Sequence, residues 1–431
     1  IRFSDDSVSS AFMLLIILAA LLVQRRQMAR ARSSGEGTWQ TVKQYRPIPS
    51  ELRHLPEVVR ARWGLGLSAA AVMLALPYIV GGNNTPYIIL LPLYGIVGVS
   101  LVVLTGWAGQ ISLGQFGLVG VGAGVVGGLI ADHNIDFFVA LGLGVGAGAL
   151  TAVVIGLPAV RIQGLYLAVV TLAFSYAVQG FVLNSSYFIG QAILPNSSAV
   201  LNRPVLYGAI DLTSHTIGGQ RAFYFLCLIF LAGSMGCAYA FRRNRSGRVL
   251  IAARDNERAA PAYAINLART RLAAFAVSGA IAGLAGVLFA YDLGGVPSEA
   301  FGPQESITVF LAAAVAGISS VGWTVFGVMS LEATVTFGPR LYQVFGPTWA
   351  SVIPLLVTGP LLLVSLYFYP GGSAQNGFDT RDWWLRRVAA RRRILVPSLV
   401  ADRRADTPAA DSEVVLAAER HVLSAGPGVG G

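Results

Sequence analysis

Long apolar runs alternate with short polar breaks along nearly the whole chain. The runs lie near 64–81, 87–105, 112–132, 137–158, 164–184, 222–241, 271–291, 305–321, 322–338 and 349–368, with a further one at 8–23. A helix needs about 20 apolar residues to cross a hydrocarbon core of about 30 Å, which is the length of most of these runs. None of them shows the strict period-2 alternation of a barrel strand. The pattern predicts an all-α polytopic membrane helical bundle, with about ten spans plus one N-terminal span.

The polar breaks set the organisation. The first run is preceded by Asp5 and Asp6 and followed by Arg25 and Arg26, the reverse of the charge order in a signal peptide. Residues 1–23 are therefore expected to be the last helix of a preceding membrane unit, and Ile1 in place of Met agrees with a chain cut from a longer precursor. Residues 24–62, with Pro47, Pro49 and Pro56, read as a basic cytoplasmic linker. Residues 63–370 form the transmembrane domain. Residues 371–431 read as a largely disordered cytoplasmic tail with Trp383 and Trp384 near the interface and a short helix at 411–423. Ten spans divide five and five about the loop 185–221, and an odd number per half matches an inverted 5+5 repeat. Within 305–338 the break is only Ser319, Ser320 and Gly322, which leaves two spans and a re-entrant pair both open.

Charge sharpens this picture. Only 12% of residues are charged, against roughly 25% in soluble domains. Of the 31 cationic side chains, nine fall in 24–62, eight in 242–271 and nine in 381–431. Starting inside, the ten spans return all three segments to one face, which is the positive-inside pattern and not a nucleic-acid surface. Cys227 and Cys237 share one apolar run and make neither a disulfide framework nor a zinc site. The chain has no G-x-x-x-x-G-K-[ST] phosphate loop, so any ATP and magnesium chemistry would fall to separate subunits.

Three segments carry further information. Gly106-Trp107-Ala108-Gly109-Gln110-Ile111-Ser112-Leu113-Gly114-Gln115 puts glycines and amides between two apolar runs. Polar or irregular backbone at membrane depth is tolerated where it lines a cavity or packs on protein. Two readings stay open: a pathway-facing element built on Gly106, Gly109, Gln110, Ser112, Gly114 and Gln115, or a packing joint. The glycines at 120–124 and 142–148 read as packing residues. Around Arg161, Gln163 and Thr171, the threonine lies one to two turns inside a span, where it can bond a backbone carbonyl of its own helix or line the pathway with Gln110, Ser112 and Gln115. Segment 254–266 is charged, then alanine-rich, and interrupted by Pro261. It predicts a short helix on the cytoplasmic face whose Arg254, Asn256, Glu257, Ala259, Ala260 and Asn266 dock a partner. Glu332 falls within a span and is a pathway candidate, whereas Glu305 reads as a helix-start carboxylate.

Taken together, 106–123 (GWAGQISLGQFGLVGVGA), 163–174 (QGLYLAVVTLAF), 246–266 (SGRVLIAARDNERAAPAYAIN) and 271–290 (RLAAFAVSGAIAGLAGVLFA) resemble the permease family of branched-chain amino-acid ABC importers, in its LivM-type subunit. The resemblance covers about 86–370. It implies a bacterial inner-membrane permease subunit with no bound cofactor of its own. Its implied partners are two cytoplasmic ATPase subunits, a companion permease (fused upstream in this chain), an external solute-binding protein and membrane lipid, without nucleic acid. It also implies that branched-chain or related amino acids are passed inward. Departures at Gly122-Ala123-Gly124 and Ala316-Gly317 from the family's usual patterns lie near the presumed pathway and bear on the solute. A urea or short-amide importer permease shares this architecture, and a secondary transporter without ATPase is the alternative of a different class.

Overall fold

The computed structural model describes residues 48–81, 84–133, 136–159, 164–184, 201–206, 210–213, 216–255, 260, 265–342 and 372–392. The N-terminal run at 8–23, the span at 349–368, the greater part of the loop 185–221 and the helix expected at 411–423 lie outside these residues. The chain divides into two compact units, one of Met73–Gln375 and one of Arg46–Val72 with Asn376–Gly431, apart from residues 1–45.

The helices are α1 (Ser50–Arg53), α2 (Pro56–Ile79), α3 (Thr85–Leu101), α4 (Gln115–His133), α5 (Phe137–Ala159) and α6 (Leu165–Ala177). They continue with α7 (Ile217–Arg243), α8 (Arg245–Asp255), α9 (Leu267–Leu293), α10 (Pro303–Ala316), α11 (Val321–Tyr342) and α12 (Gly372–Arg392). Nine of the ten apolar runs thus become helices, eight of them within about five residues of the expected bounds and the first beginning eight residues early at Pro56, and the tenth is not among the described residues. Among the described residues, five helices are long and apolar enough to cross a membrane: α2, α3 with its continuation to Trp107, α5, α7 and α9. At 14 residues, α10 is about 21 Å long and stops short of a hydrocarbon core. Among the described residues one minimal antiparallel ladder, Val205–Leu206 against Ile210–Asp211, departs from the all-helical expectation.

Local chemistry explains the helix ends. The Thr216 side chain accepts from the Gly219 N–H at the start of α7, and Asn266 accepts from Arg269 N–H, 3.1 Å, at the start of α9. Pro86 and Pro303 occupy the first turn of α3 and α10, where the missing N–H costs nothing. Gly294 and Gly317 close α9 and α10 in the left-handed conformation.

In the larger unit α9 is central and packs against α3, α4 and α5. The buried residues of α5 recur every fourth position as Ala140, Gly144, Gly148, Ala152 and Gly156. Gly148 meets Gly279 and Gly283 of α9 backbone to backbone and Gly144 lies against Gly283, while Ala152 lies against Gly279 and Gly156 against Leu272 and Phe275. This is the small-residue stripe by which helices approach closely in lipid, where dispersion and not water exclusion holds them. Gly142 and Gly146, expected to pack as well, face open space. An aromatic group of Tyr94, Phe116 and Phe289, with ring centroids 5.4–5.9 Å apart, fills the wider end of the α3–α4–α9 junction.

The smaller unit corrects two boundaries. Helix begins at Ser50 and again at Pro56, inside the stretch read as linker, and 372–392 is helical inside the stretch read as largely disordered. The reason is apolar side chains that a charge-weighted reading passes over. Leu52 and Val58 form one buried cluster with Leu385, Val388 and Ala389. Arg387 stacks on Trp383 at 4.1 Å, and Arg392 pairs with Glu57 at 2.8 Å, an exposed contact worth little by itself.

Candidate functional site

Helix α3 does not end cleanly. Its last turn widens into a π-helical turn, Val102–Trp107, and the chain then runs without regular structure to Gly114 before α4 begins. Such turns arise where the helical hydrogen-bond ladder slips by one residue, and they recur at functional positions. Here the Ala108 N–H reaches Val103 O at 3.2 Å and the Gln110 N–H reaches Leu104 O at 3.1 Å. Gly109 takes φ +67°, a conformation side chains disfavour, and turns the chain back into the bundle.

Each predicted residue of this segment has a definite place. Gly106 lies against the backbone of Ile318, and Trp107 Nε1–H donates to Ser319 O at 3.2 Å, so the turn rests on the α10–α11 connection. Gly114 lies against the Thr171 backbone, too close for any side chain. Thr171 Oγ1 accepts from the Leu113 N–H at 2.9 Å and donates to Ala168 O at 3.0 Å. Gln115 opens α4, and its Nε2 donates to Ser100 Oγ at 2.8 Å and to Ser278 Oγ at 2.9 Å. Ser112 Oγ donates to Gln115 Oε1 at 3.4 Å. Gln110, Ser112, Gln115 and Thr171 are 4%, 2%, 0% and 3% exposed, so none of the four faces lipid. Gln110 Oε1 is buried without a hydrogen-bond partner among the described residues.

The structure therefore brings 106–115 and Thr171 together and adds four hydroxyls that the sequence reading missed. These are Ser100 of α3, Ser175 of α6, Ser278 of α9 and Ser306 of α10. Ser278 Oγ donates to Ser100 O at 2.9 Å, Ser306 Oγ accepts from the Phe116 N–H at 2.9 Å, and Ser175 and Ser306 hydroxyls lie 3.4 Å apart. Their signal was present as lone serines inside apolar runs, but a serine there can also bond its own helix, and only the fold decides. The result is a buried polar seam through five helices, with the interrupted backbone at its centre. The hydrogen bonds that Ser100, Ser112, Gln115, Thr171, Ser278 and Ser306 make in it are neutral, and its polar side chains are a few amides and hydroxyls. Among the described residues no group of three or more His, Cys, Asp or Glu is placed to hold a metal ion.

Replacing Gln115 by Leu removes two donors to Ser100 and Ser278 together with the acceptor of Ser112. At about 0.6–1.7 kcal/mol per interhelical hydrogen bond in membrane proteins, the expected loss is about 1–3 kcal/mol. It is read as a lowered unfolding midpoint of the purified chain in detergent, and an unchanged midpoint would remove Gln115 from the role of a strut.

Glu332 and Glu305 sit apart from the seam's centre. Glu332 is half-buried on α11 and accepts from Thr336 Oγ1 at 3.0 Å. Glu305, read as a helix-start carboxylate, lies in the first turn of α10 as expected and also accepts from the Tyr94 hydroxyl at 3.0 Å, tying α10 to α3.

Of the partner-docking segment, Asn256, Glu257 and Ala259 lie outside the described residues. Arg254 is in the last turn of α8, so regular helix precedes the expected docking helix. Its Nη1 donates to Gly106 O. Ala260 is 4% exposed, packed within the chain itself, and Asn266 serves as the N-cap of α9.

Comparison with known proteins places the chain. A family model described as "Branched-chain amino acid transport system / permease component" matches residues 85–364. The chain is 26% identical over 323 residues to the high-affinity branched-chain amino acid transport system permease protein LivM of Salmonella typhimurium, covering 71% of this chain and 73% of that one. It is 27% identical over 315 residues to the LivM protein of Escherichia coli, covering 69% and 71%. It is 26% identical over 313 residues to the probable branched-chain amino acid transport permease protein LivM of Methanocaldococcus jannaschii, covering 65% and 90%. No solved structure matches.

Proposed function

Because the chain belongs to the branched-chain amino acid transport permease family, we propose that it is the membrane-spanning permease subunit of an ATP-driven importer. In this reading it receives branched-chain or related amino acids from an external binding protein and passes them into the cytoplasm. The observation that carries it is the family match over 85–364, which takes in both the interrupted helix at 102–115 and the segment 254–266. ATP is hydrolysed by partner subunits seated on 254–266, and a companion permease completes the membrane unit.

The chemistry of the seam supports an aliphatic, partly polar solute. A hydrophobic wall with few hydroxyls and amides accommodates a branched alkyl group without desolvating a charge. Gln110, Ser112, Gln115, Thr171 and Glu332 remain the candidates for its polar end. Among them Gln110 Oε1 is an acceptor not yet engaged, suited to an ammonium hydrogen, and reaching it requires the 106–115 turn to open.

The solute is tested by uptake into membrane vesicles prepared from cells of the source organism that overproduce the chain, against vesicles from cells lacking it. Labelled leucine, isoleucine and valine are expected to enter and to compete with one another, with urea inert. Urea uptake that leucine fails to inhibit would replace the amino-acid reading with the short-amide one.

A further inference from the structure

Arg254 lies in the last turn of α8 and is the first residue of the segment assigned to ATPase docking, yet its side chain runs into the bundle. Its stem lies against Gly109, where an added Cβ would come within 2.9 Å of the arginine Cγ. Its Nη1 donates to the Gly106 carbonyl. Arg242, from the last turn of α7, lies over the Trp107 ring at 5.5 Å, so Trp107 and Gly109 both lie against cations of the α7–α8 pair. The bond is charge-assisted and runs to a main-chain oxygen, which makes it stronger than a neutral contact and independent of any rotamer on the receiving side. Three positions without side chains, Gly106, Gly109 and Gly114, let the turn fit between its neighbours. From Gly106 the same stretch of backbone passes through Gln110 and Leu113 to Gln115.

We propose that Arg254 is a positioning residue that transmits movement of the docking segment to the 106–115 turn. The proposal rests on the reading of 254–266 as the ATPase-docking segment. The element that responds is the π-helical turn at Val102–Trp107. A π turn and an α turn differ by one residue of hydrogen-bond register, so the two are discrete states and not a continuous bend. A displaced α8 end either carries the Gly106 carbonyl with it or breaks a charge-assisted bond in a partly dry site. Carrying it shifts the turn's register, and with it Gln110, whose Oε1 is held unpaired in the state described here. Coupling needs an element whose discrete arrangements both ends can bias, and the π-helical turn at Val102–Trp107 is the element assigned to it here.

The test uses the assembled transporter in proteoliposomes, with Arg254→Gln and Arg254→Lys, and labelled leucine as the solute. Three quantities are read: ATPase co-purifying with the chain, ATP hydrolysed, and leucine imported per ATP. In Arg254→Gln the ATPase is expected to co-purify at the wild-type level and to hydrolyse ATP, while leucine imported per ATP falls at least tenfold. Arg254→Lys keeps the stem and the charge and is expected to recover part of that ratio, which a purely structural role would not produce. A wild-type ratio in Arg254→Gln overturns the proposal. So does loss of the ATPase in both variants, which would make Arg254 a docking contact instead. Should Arg254→Gln fail to insert, Arg254→Lys alone decides: an intermediate ratio supports the link and a wild-type ratio overturns it. A wild-type chain that retains no ATPase would instead defeat the docking reading itself.

Discussion

Gly148→Val is expected to leave no stable bundle, while Gly146→Val, two residues away in the same helix, is expected to behave as the wild-type chain. The two positions have the same residue type and the same apolar run. They differ in what a side chain would meet. At Gly148 an added Cβ runs into the Gly279 carbonyl and the Gly283 backbone of α9, whereas at Gly146 nothing lies within 4 Å. Overpacking a core costs typically 1–3 kcal/mol when side chains can give way, and more where the obstacle is main chain, as here. Separating α5 from α9 also withdraws the contacts that replace water exclusion as the cohesive force in lipid. The check is fluorescence-detected gel filtration after detergent extraction, with thermal melting of whatever elutes as a single species. Two equally stable variants would show that the α5–α9 approach is not a close one.

The second large effect is expected at Arg203. Its guanidinium pairs with Asp292 at 2.6 Å, both side chains being over nine-tenths buried, and its Nε donates to Tyr291 O at 3.2 Å. It also stacks on Phe223 at 4.2 Å. Burial pulls the Arg203 pKa below its ordinary value, and the Asp292 carboxylate acts in the opposite direction. Together with the Leu201 N–H donated to Gly294 O at 2.9 Å, the pair fastens the loop before α7 to the end of α9. Arg203→Ala strands a buried carboxylate and is expected to destabilise the chain by about 3–5 kcal/mol. The double variant Arg203→Met with Asp292→Leu removes both charges and is expected to recover most of the loss. If the double variant melts as low as Arg203→Ala, packing by the arginine stem and not its charge accounts for the effect.

Sequence periodicity read the larger unit well because each span is an apolar run bounded by Gly, Pro, Asn or Arg, and those signals are local. The segment 106–115 stood out for the same reason, since amides and glycines between two apolar runs have few places to go. What it does there was not legible. Gln115 reaches Ser100 and Ser278, which are 15 and 163 residues away. Nothing in a one-dimensional pattern pairs a glutamine with those serines. The glycines show the same limit: Gly144 and Gly148 pack while Gly142 and Gly146 do not, and only the four-residue spacing of α5's buried face separates them. The helix at 372–392 was hidden by its charge, because Leu385, Val388 and Ala389 are too few to register as an apolar run yet suffice once Leu52 and Val58 supply the other side. Arg254 was read as a docking residue from its place in 254–266, whereas its bond to Gly106 is a contact within the chain that no local pattern encodes.

The most direct test of the account is whether this chain works only through an ATPase held at 254–266. The tagged chain is purified from its own cells with whatever ATPase it retains, and leucine uptake is measured with and without ATP for the wild type and for Glu257→Arg. A charge of the wrong sign buried in a docking surface without a partner costs several kcal/mol, enough to release a partner of ordinary affinity. The wild type is expected to retain the ATPase and to import leucine only with ATP. Glu257→Arg, still inserted in the membrane, is expected to lose ATPase binding and uptake together by at least tenfold. Leucine uptake that persists without ATP, or that Glu257→Arg leaves intact with the ATPase still bound, would contradict the account.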